Sequence, residues 1–425
     1  MRRPLRLRGR ASLCVVALCA TVIAGAAEPT TAPSTAPSTT SPNVLTTVSD
    51  LIHAAATADA GLRSAEARAV GADAAGRFAQ RWDDPRLGLE GGRVSLPGDD
   101  EWHGRIDVTQ RLPLGGEGAA RAASADSQRA LARADYVSAR LTLAADVRRL
   151  VVNLRLALAE QTATRTSLED ASAAFAVVRT RLAAASARQA ELLMVQIDRD
   201  EADEAAALAS QRVVAARAAL ARRCHVDLTT IGDPAPLTLS ERDQAAVAAA
   251  AARHPRLITA EAQVRAAEAL AALARSGRWS EVRAGVFGER VGDDTEVGLT
   301  LEVPLPTWNR NQGAVGIAMA EADAVRATRA GVRQQVESEA EAAWFAWDAA
   351  RRRAHHHNER LLPLAGEVLQ LALADYAAGR GDLTSVVAAR RTRSRLALAA
   401  AEAAAQRDHA LIIVHTAAPV AEDLP

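Results

Sequence analysis

The chain has 425 residues, long enough for more than one ordinary domain, and its 51 basic and 51 acidic side chains give a formal net charge of +0. That balance excludes any global attraction to nucleic acid or to an anionic surface. Every basic residue is arginine, aromatics make up only 3%, and Ala, Arg, Glu and Leu dominate, as they do in long helices and coiled coils.

Residues 1–26 read as a secretory signal peptide: "MRRPLRLRGR" is a basic leader, "ASLCVVALCATVI" an apolar core too short for a comfortable membrane span, and Ala24-Gly25-Ala26 a small-residue cleavage site. Cys14 and Cys19 lie inside it. Acylation of either would need a small residue just before it, where Leu13 and Leu18 stand. The exported chain keeps Cys224 alone, so no intrachain disulfide is expected. Residues 27–43, "EPTTAPSTAPSTTSPN" in the main, read as a disordered Pro/Thr/Ser tether. No later apolar run is long enough for a transmembrane helix. If the chain enters a membrane, it must do so as strands.

From residue 44 the chain repeats one plan, with copies at 44–235 and 236–425. "LRSAEARAVGADAAGRFAQRW" (62–82) pairs with "LITAEAQVRAAEALAALARSGRW" (257–279), matching Ala65-Glu66-Ala67 to Ala260-Glu261-Ala262. A strand pair follows each: a hairpin over 86–112 in the first copy and over 281–305 in the second. In the first, Trp102, Gly104, Ile106, Val108 and Leu112 share a face with Gln110, opposite His103, Arg105, Asp107, Thr109 and Arg111. In the second, Val297, Leu299, Leu301, Val303 and Leu305 oppose Glu296, Gly298, Thr300 and Glu302. Such faces suit either a sheet packed on helices or a barrel wall between lipid and water. Strands of about 9–11 residues span a bilayer when tilted, but four cannot close a barrel. A membrane reading therefore requires several chains, each donating two hairpins, and three chains would supply twelve strands.

Helical hairpins are expected over 117–222 and 313–415. A helix running from Glu117 to about Ala190 would be roughly 110 Å long, and the stretch from Gly313 to Tyr376 nearly as long. Helices of that reach must run beside partners, and Leu141, Leu143, Val147, Leu150, Val151, Leu154 and Leu158 supply a seam. The second strand pair meets its helix at Pro304, Pro306, Trp308, Asn309, Arg310, Asn311, Gln312 and Gly313, where the prolines end the strand ladder and the polar residues turn the chain.

Few residues suggest chemistry. His355, His356 and His357 are consecutive, so on a helix they point about 100° apart and chelate one ion poorly; beside Arg351, Arg352 and Arg353 they read as a solvated basic segment. Cys224-His225 offers two ligands, too few for a metal centre. Trp82, Trp279 and Trp308 stand at strand–helix junctions, suited to an interface or to packing, and Trp344 with Trp347 suits a core. No catalytic set, phosphate loop or cofactor motif is present, so neither an enzyme nor a cofactor is expected.

Signal, tether, then twice helix, hairpin, long helix and returning helix together resemble the TolC-like outer-membrane efflux channels. "LEVPLPTWNRNQGAV" resembles their cation-efflux (CzcC/CusC-like) branch, with Trp308 in place of the usual Phe, and "HPRLITAEAQVRAAEALAALAR" and "DYAAGRGDLTSVVAARRTRSRLALAAAE" resemble further family segments. The resemblance implies a mainly α homotrimer: an α-barrel of antiparallel coiled-coil helices joined to a twelve-stranded outer-membrane β-barrel. It further implies an outer-membrane location with a long periplasmic portion, and a periplasmic membrane-fusion adaptor linking the channel to a proton-driven inner-membrane RND pump. The function implied is an exit duct for heavy-metal cations; drugs or secreted polypeptides are alternative cargoes, and a soluble periplasmic coiled-coil adaptor or scaffold is an alternative from another class. The adaptor-facing tips would be Glu191, Leu192 and Leu193 in the first hairpin and Gly379, Gly381, Asp382 and Leu383 in the second. The first tip has Ala and Ser where a glycine is common, and the family's acidic entrance positions are here the uncharged Ser385 and Ala388. That leaves Asp382, Glu191 and Asp198 as gate candidates.

Overall fold

The computed structural model describes residues 45–96, 99–114, 116–277, 282–304, 307–308 and 310–420. The expected signal peptide (1–26) and tether (27–43), both N-terminal cysteines, Trp279, Leu305, Pro306 and Asn309 lie outside them. No described helix is long and apolar enough to cross a membrane.

Two short helices open the described chain, α1 (Val48–Ala58) and α2 (Ala60–Phe78). The break between them, inside what the sequence suggested as one helix, is made by caps. Thr47 Oγ1 accepts the Asp50 N–H at the start of α1, and Asp59 ends α1 while its carboxylate accepts the Leu62 N–H of α2 at 2.7 Å. Strands β1 (Arg86–Leu96) and β2 (Asp99–Arg111) follow, then helix α3 (Glu117–Ala183) and helix α4 (Gln189–Cys224). After a 3-10 turn, α5 (Gln244–Ala251) and α6 (Pro255–Ser276) precede strands β3 (Arg283–Val291) and β4 (Asp294–Glu302). The succession closes with α7 (Gln312–His356), α8 (Leu362–Ala377) and α9 (Leu383–Ala417).

The expected continuous helix from Gly313 to Tyr376 is interrupted. Residues His357–Leu361 form a π turn in which the Leu362 N–H reaches back to the His357 carbonyl. Pro363 explains it: without an N–H it leaves one carbonyl of the preceding turn unpaired, and its ring crowds that turn. The first long helix also stops earlier than expected, at Ala183 rather than about Ala190.

The four strands form one antiparallel sheet in the order β1-β2-β3-β4. Register fixes its faces. Leu87, Val108, Val286 and Leu299 lie in one transverse row and Leu89, Ile106, Gly288 and Val297 in the next, all on one side. The opposite side carries the row Glu90, Arg105, Glu289 and Glu296.

Helix α3 packs along α4, α6, α9 and α2, while α7 packs on α6 and α9, and α8 on α9. Clusters of buried side chains hold this arrangement. Leu51, Ile52 and Ala55 of α1 bury against Val147, Val151 and Leu154 of α3 and Leu220 of α4. The second copy repeats this with Val247 of α5, Leu257 of α6, Val336 and Trp347 of α7, and Val414 of α9. At the far end, Val178, Val195, Tyr376, Leu383 and Val386 join the two helical hairpins. Alanines such as Ala144, Ala171, Ala340 and Ala403 line the rest and let helices approach closely.

Candidate functional site

The apolar face of the sheet is exposed. Val297 and Leu299 are each 83% accessible, and Leu87, Leu89, Trp102, Ile106, Val108, Val286 and Leu301 are exposed with them. A continuous apolar band of this kind is foreign to a water-facing surface. On the opposite face, Glu289 binds His103 at 2.8 Å and Arg105 at 3.3 Å, and the Arg105 guanidinium lies over the Phe287 ring at 4.2 Å. One face therefore sheds water and the other holds charge, which excludes the packed-sheet alternative for these strands.

At the strand–helix junctions both copies use a left-handed residue to cap the next helix: Gly116 (φ 84°) before α3 and Asn311 (φ 63°) before α7. Asn311 is the working residue of its turn. Its side-chain amide donates to the Ala274 carbonyl of α6 at 2.7 Å, tying the incoming helix to the outgoing one. Gly313, expected to make the turn, is instead helical with open space where a Cβ would stand. Gln312 accepts the Arg310 N–H at 3.0 Å, Pro304 lies half-buried just past β4, and Trp308 is 93% exposed. In the first copy, Glu117, 4% exposed, is held by Arg111 and Arg121, and these same arginines hold Asp83.

The hairpin tips share one geometry. Each long helix ends in a turn whose second residue is left-handed, Ala185 (φ 55°) and Gly379 (φ 73°), and whose third N–H reaches back five residues, Ser186 to Arg181 and Arg380 to Asp375. Glu191, Leu192 and Leu193 consequently sit on the first turn of α4, past the tip itself. Leu192 packs on the tip core, Leu193 is exposed, and Glu191 accepts the Tyr376 hydroxyl at 3.0 Å. Burial and then that Glu191 bond hold the Tyr376 hydroxyl above the ordinary tyrosine range, keeping it a donor. Arg181 stacks on the Tyr376 ring, 4.4 Å from its centroid, and binds the Tyr376 carbonyl. In the second tip, a Cβ at Gly381 would stand 3.2 Å from the Tyr376 nitrogen and 3.3 Å from the Asp375 carbonyl carbon, a tight fit, and Leu383 is buried. Asp382 is exposed and accepts the Ser385 hydroxyl, the main reason its carboxyl lies below the usual range.

Asp198 stands apart from the other gate candidates. It is 2% exposed and accepts two bonds from Arg390, at 2.6 Å to Nε and 2.5 Å to Nη2, while Arg391 adds a third at 3.0 Å. Arg390 also donates to Ser167 Oγ at 2.7 Å, Arg391 pairs with Glu201, and Arg393 pairs with Asp170. In this structure Asp198 is therefore the centre of a clamp between the hairpins, with its carboxylate turned away from solvent. Sequence reasoning missed Arg390, Ser167, Asp170 and Arg393. Their only trace was the arginine density of "AARRTRSR", which reads equally as a solvated face.

The remaining polar candidates do not converge. His355 and His356 end α7 exposed, and His357 opens the π turn. Cys224 is buried, its thiol pushed up to about 11 by desolvation, while His225 is exposed in the left-handed cap of α4. Trp344 donates to the Arg242 carbonyl and Trp347 is core. Among the described residues no three His, Cys, Asp or Glu side chains gather in a metal-holding group.

Solved structures with this fold include a membrane protein from Pseudomonas aeruginosa (TM-score 0.70, 22% identity, covering 87% of this chain and 93% of that one). They also include CusC (TM-score 0.70, 18% identity, covering 87% and 91%) and the outer-membrane protein VceC of Vibrio cholerae (TM-score 0.71, 17% identity, covering 87% and 95%). No curated protein sequence matches the chain. The family described as outer membrane efflux protein matches twice, over residues 51–223 and 246–418, which displaces the adaptor or scaffold alternative. By that double match across most of its length, the chain belongs to the outer membrane efflux protein family.

Proposed function

We propose that this protein is the outer-membrane exit duct of a tripartite, RND-type efflux system and works as a homotrimer. The observation that carries the reading is that the chain is open on both flanks. Strands β1 and β4 are sheet edges, and lipid tolerates no unpaired edge beside an apolar band. The helices form a parallel case: in the row α4, α3, α9, α8 the outer members carry exposed apolar residues, Leu193, Met194 and Ile197 on α4 and Leu364, Val368 and Leu371 on α8. Unlike flanks at the two ends of one chain make a head-to-tail contact, which closes into a ring. Three chains give twelve strands, enough for a water-filled barrel. Residues 44–235 and 236–425 act as two copies of one unit, a reading supported by the family's double match.

In this arrangement the change from strand to helix at Pro304 to Gly313 marks where the chain leaves the bilayer for the periplasm. The tips at Glu191, Leu192 and Leu193 and at Gly379, Gly381, Asp382 and Leu383 face the periplasmic adaptor, which links the duct to the inner-membrane pump. Asp382 and Glu191 are the gate carboxylates accessible at that end, while Asp198 would have to leave Arg390 to join them. The duct performs no chemistry; its cargo is heavy-metal cations, supported by the "LEVPLPTWNRNQG" junction.

The test is fractionation of the envelope followed by native mass measurement on the detergent extract. A trimer in the outer membrane is expected, and a water-soluble monomer or dimer would sink the duct. Cargo is read from a deletion strain: sensitivity to heavy-metal salts supports the cation assignment, and sensitivity to drugs alone replaces it.

A further inference from the structure

The two open sheet edges end beside unusual neighbours. The row Arg86, Thr109, Gly285 and Thr300 puts the start of β1 and the last residues of β4 at the same end of the sheet, on opposite edges. Before β1 come Arg77, Phe78, Arg81 and Trp82, all exposed, with the Arg81 guanidinium 4.3 Å from the Phe78 ring centroid. After β4 come Trp308 and Arg310, also exposed. When β4 of one chain pairs with β1 of the next, these groups meet at the seam. The arrangement rests on the closed-ring reading above.

Among the described residues, charge at this level is not balanced. Asp83 and Glu117 are taken up by Arg111 and Arg121, whereas Arg77, Arg81 and Arg310 make no ion pair with a described residue. Among the described residues they outnumber Asp84, an exposed carboxylate between Arg81 and β1. The belt continues directly from the lipid-facing band of Leu87, Leu299 and Leu301. Indole rings favour the headgroup level, and guanidinium groups bind phosphate through paired donors.

We propose that each seam between neighbouring chains binds an anionic glycerophospholipid of the periplasm-facing leaflet. Arg81 of one chain and Arg310 of the next hold its phosphate, and Phe78, Trp82 and Trp308 lie against its glycerol and upper acyl region. A zwitterionic lipid carries the same phosphate, but its ammonium group cancels the charge that the unpaired arginines select.

Native mass spectrometry of the detergent-extracted trimer, with phosphatidylglycerol or phosphatidylcholine added at equal concentration, tests this. Wild type should retain phosphatidylglycerol preferentially, and an Arg81→Gln/Arg310→Gln double variant should lose roughly fivefold in retention per guanidinium. Arg395→Gln, exposed on α9 toward the tips, should retain it as wild type does, and Arg81→Lys/Arg310→Lys should keep most of the preference. Equal retention of the two lipids by wild type, or undiminished phosphatidylglycerol retention in the double variant, overturns the proposal. If the double variant does not assemble, wild type decides: phosphatidylglycerol must raise the dissociation temperature of the trimer above the value in phosphatidylcholine. A trimer indifferent to lipid charge overturns this inference and leaves the duct reading standing. A chain that forms no closed oligomer overturns both.

Discussion

Arg390 and Asp198 are 6% and 2% exposed; without Asp198 the Arg390 guanidinium would lose its charge partner, and without Arg390 the buried Asp198 would keep only Arg391. Burying such a pair is expensive, so its net contribution to stability is small, but breaking it is not. Arg390→Met should destabilise the protein by about 3 kcal/mol, toward the lower end because Arg391 still reaches Asp198. Replacing both partners, Arg390→Met with Asp198→Leu, should recover most of that loss, and thermal unfolding of the three proteins measures the non-additivity. His254 is a second buried group with a definite state. Its Nδ1 accepts the Arg256 N–H that caps α6, so Nε2 carries the proton and donates to the Thr416 carbonyl. Burial holds its pKa below 6.5 and favours the neutral ring. The stability it contributes is complete above 6.5 and is lost as pH falls from there through the depressed folded value, because protonation of Nδ1 also destroys the cap. The unfolding temperature of wild type should therefore drop over that window, and His254→Asn should flatten the drop; an unchanged slope would remove His254 as its cause.

At the level of elements, the two tips offer a direct comparison, because one turn is built with Gly379 and the other with Ala185. A left-handed alanine costs about 1 kcal/mol relative to glycine, after allowing for the freedom glycine gains when unfolded. Ala185→Gly should thus raise the unfolding temperature and Gly379→Ala lower it, with calorimetry of both variants as the check. Strand faces were legible from the alternation at 102–112 and 297–303, since a period of two leaves no freedom once one side must be apolar. Long helices were legible from Ala/Arg/Glu density. Their interruptions were not: the π turn depends on how neighbouring turns rearrange around Pro363, and the α1–α2 break on a single capping aspartate. The end of the first long helix was placed a few residues late because Ala185 is not a residue that announces a left-handed turn.

For the whole molecule, the two flanks matter more than any single site. Ile197 on α4 and Val368 on α8 are 60% and 55% exposed in the chain and would be covered in a ring. Ile197→Arg and Val368→Arg should each shift the detergent-extracted species from trimer to smaller forms, since a head-to-tail contact needs both flanks. Native mass resolves the species, and trimers unchanged in both variants would place the contact elsewhere.

Composition and periodicity alone determined that this chain builds long paired helices and two strand pairs with one apolar face each, because those features depend on residues near one another in sequence. The Asp198–Arg390 clamp, the Tyr376–Glu191 bond and the pairing of Asn311 with α6 were decided only by tertiary structure. Each joins groups far apart in the chain, and an isolated carboxylate or guanidinium on a helix carries no mark of which distant partner will exclude water from it.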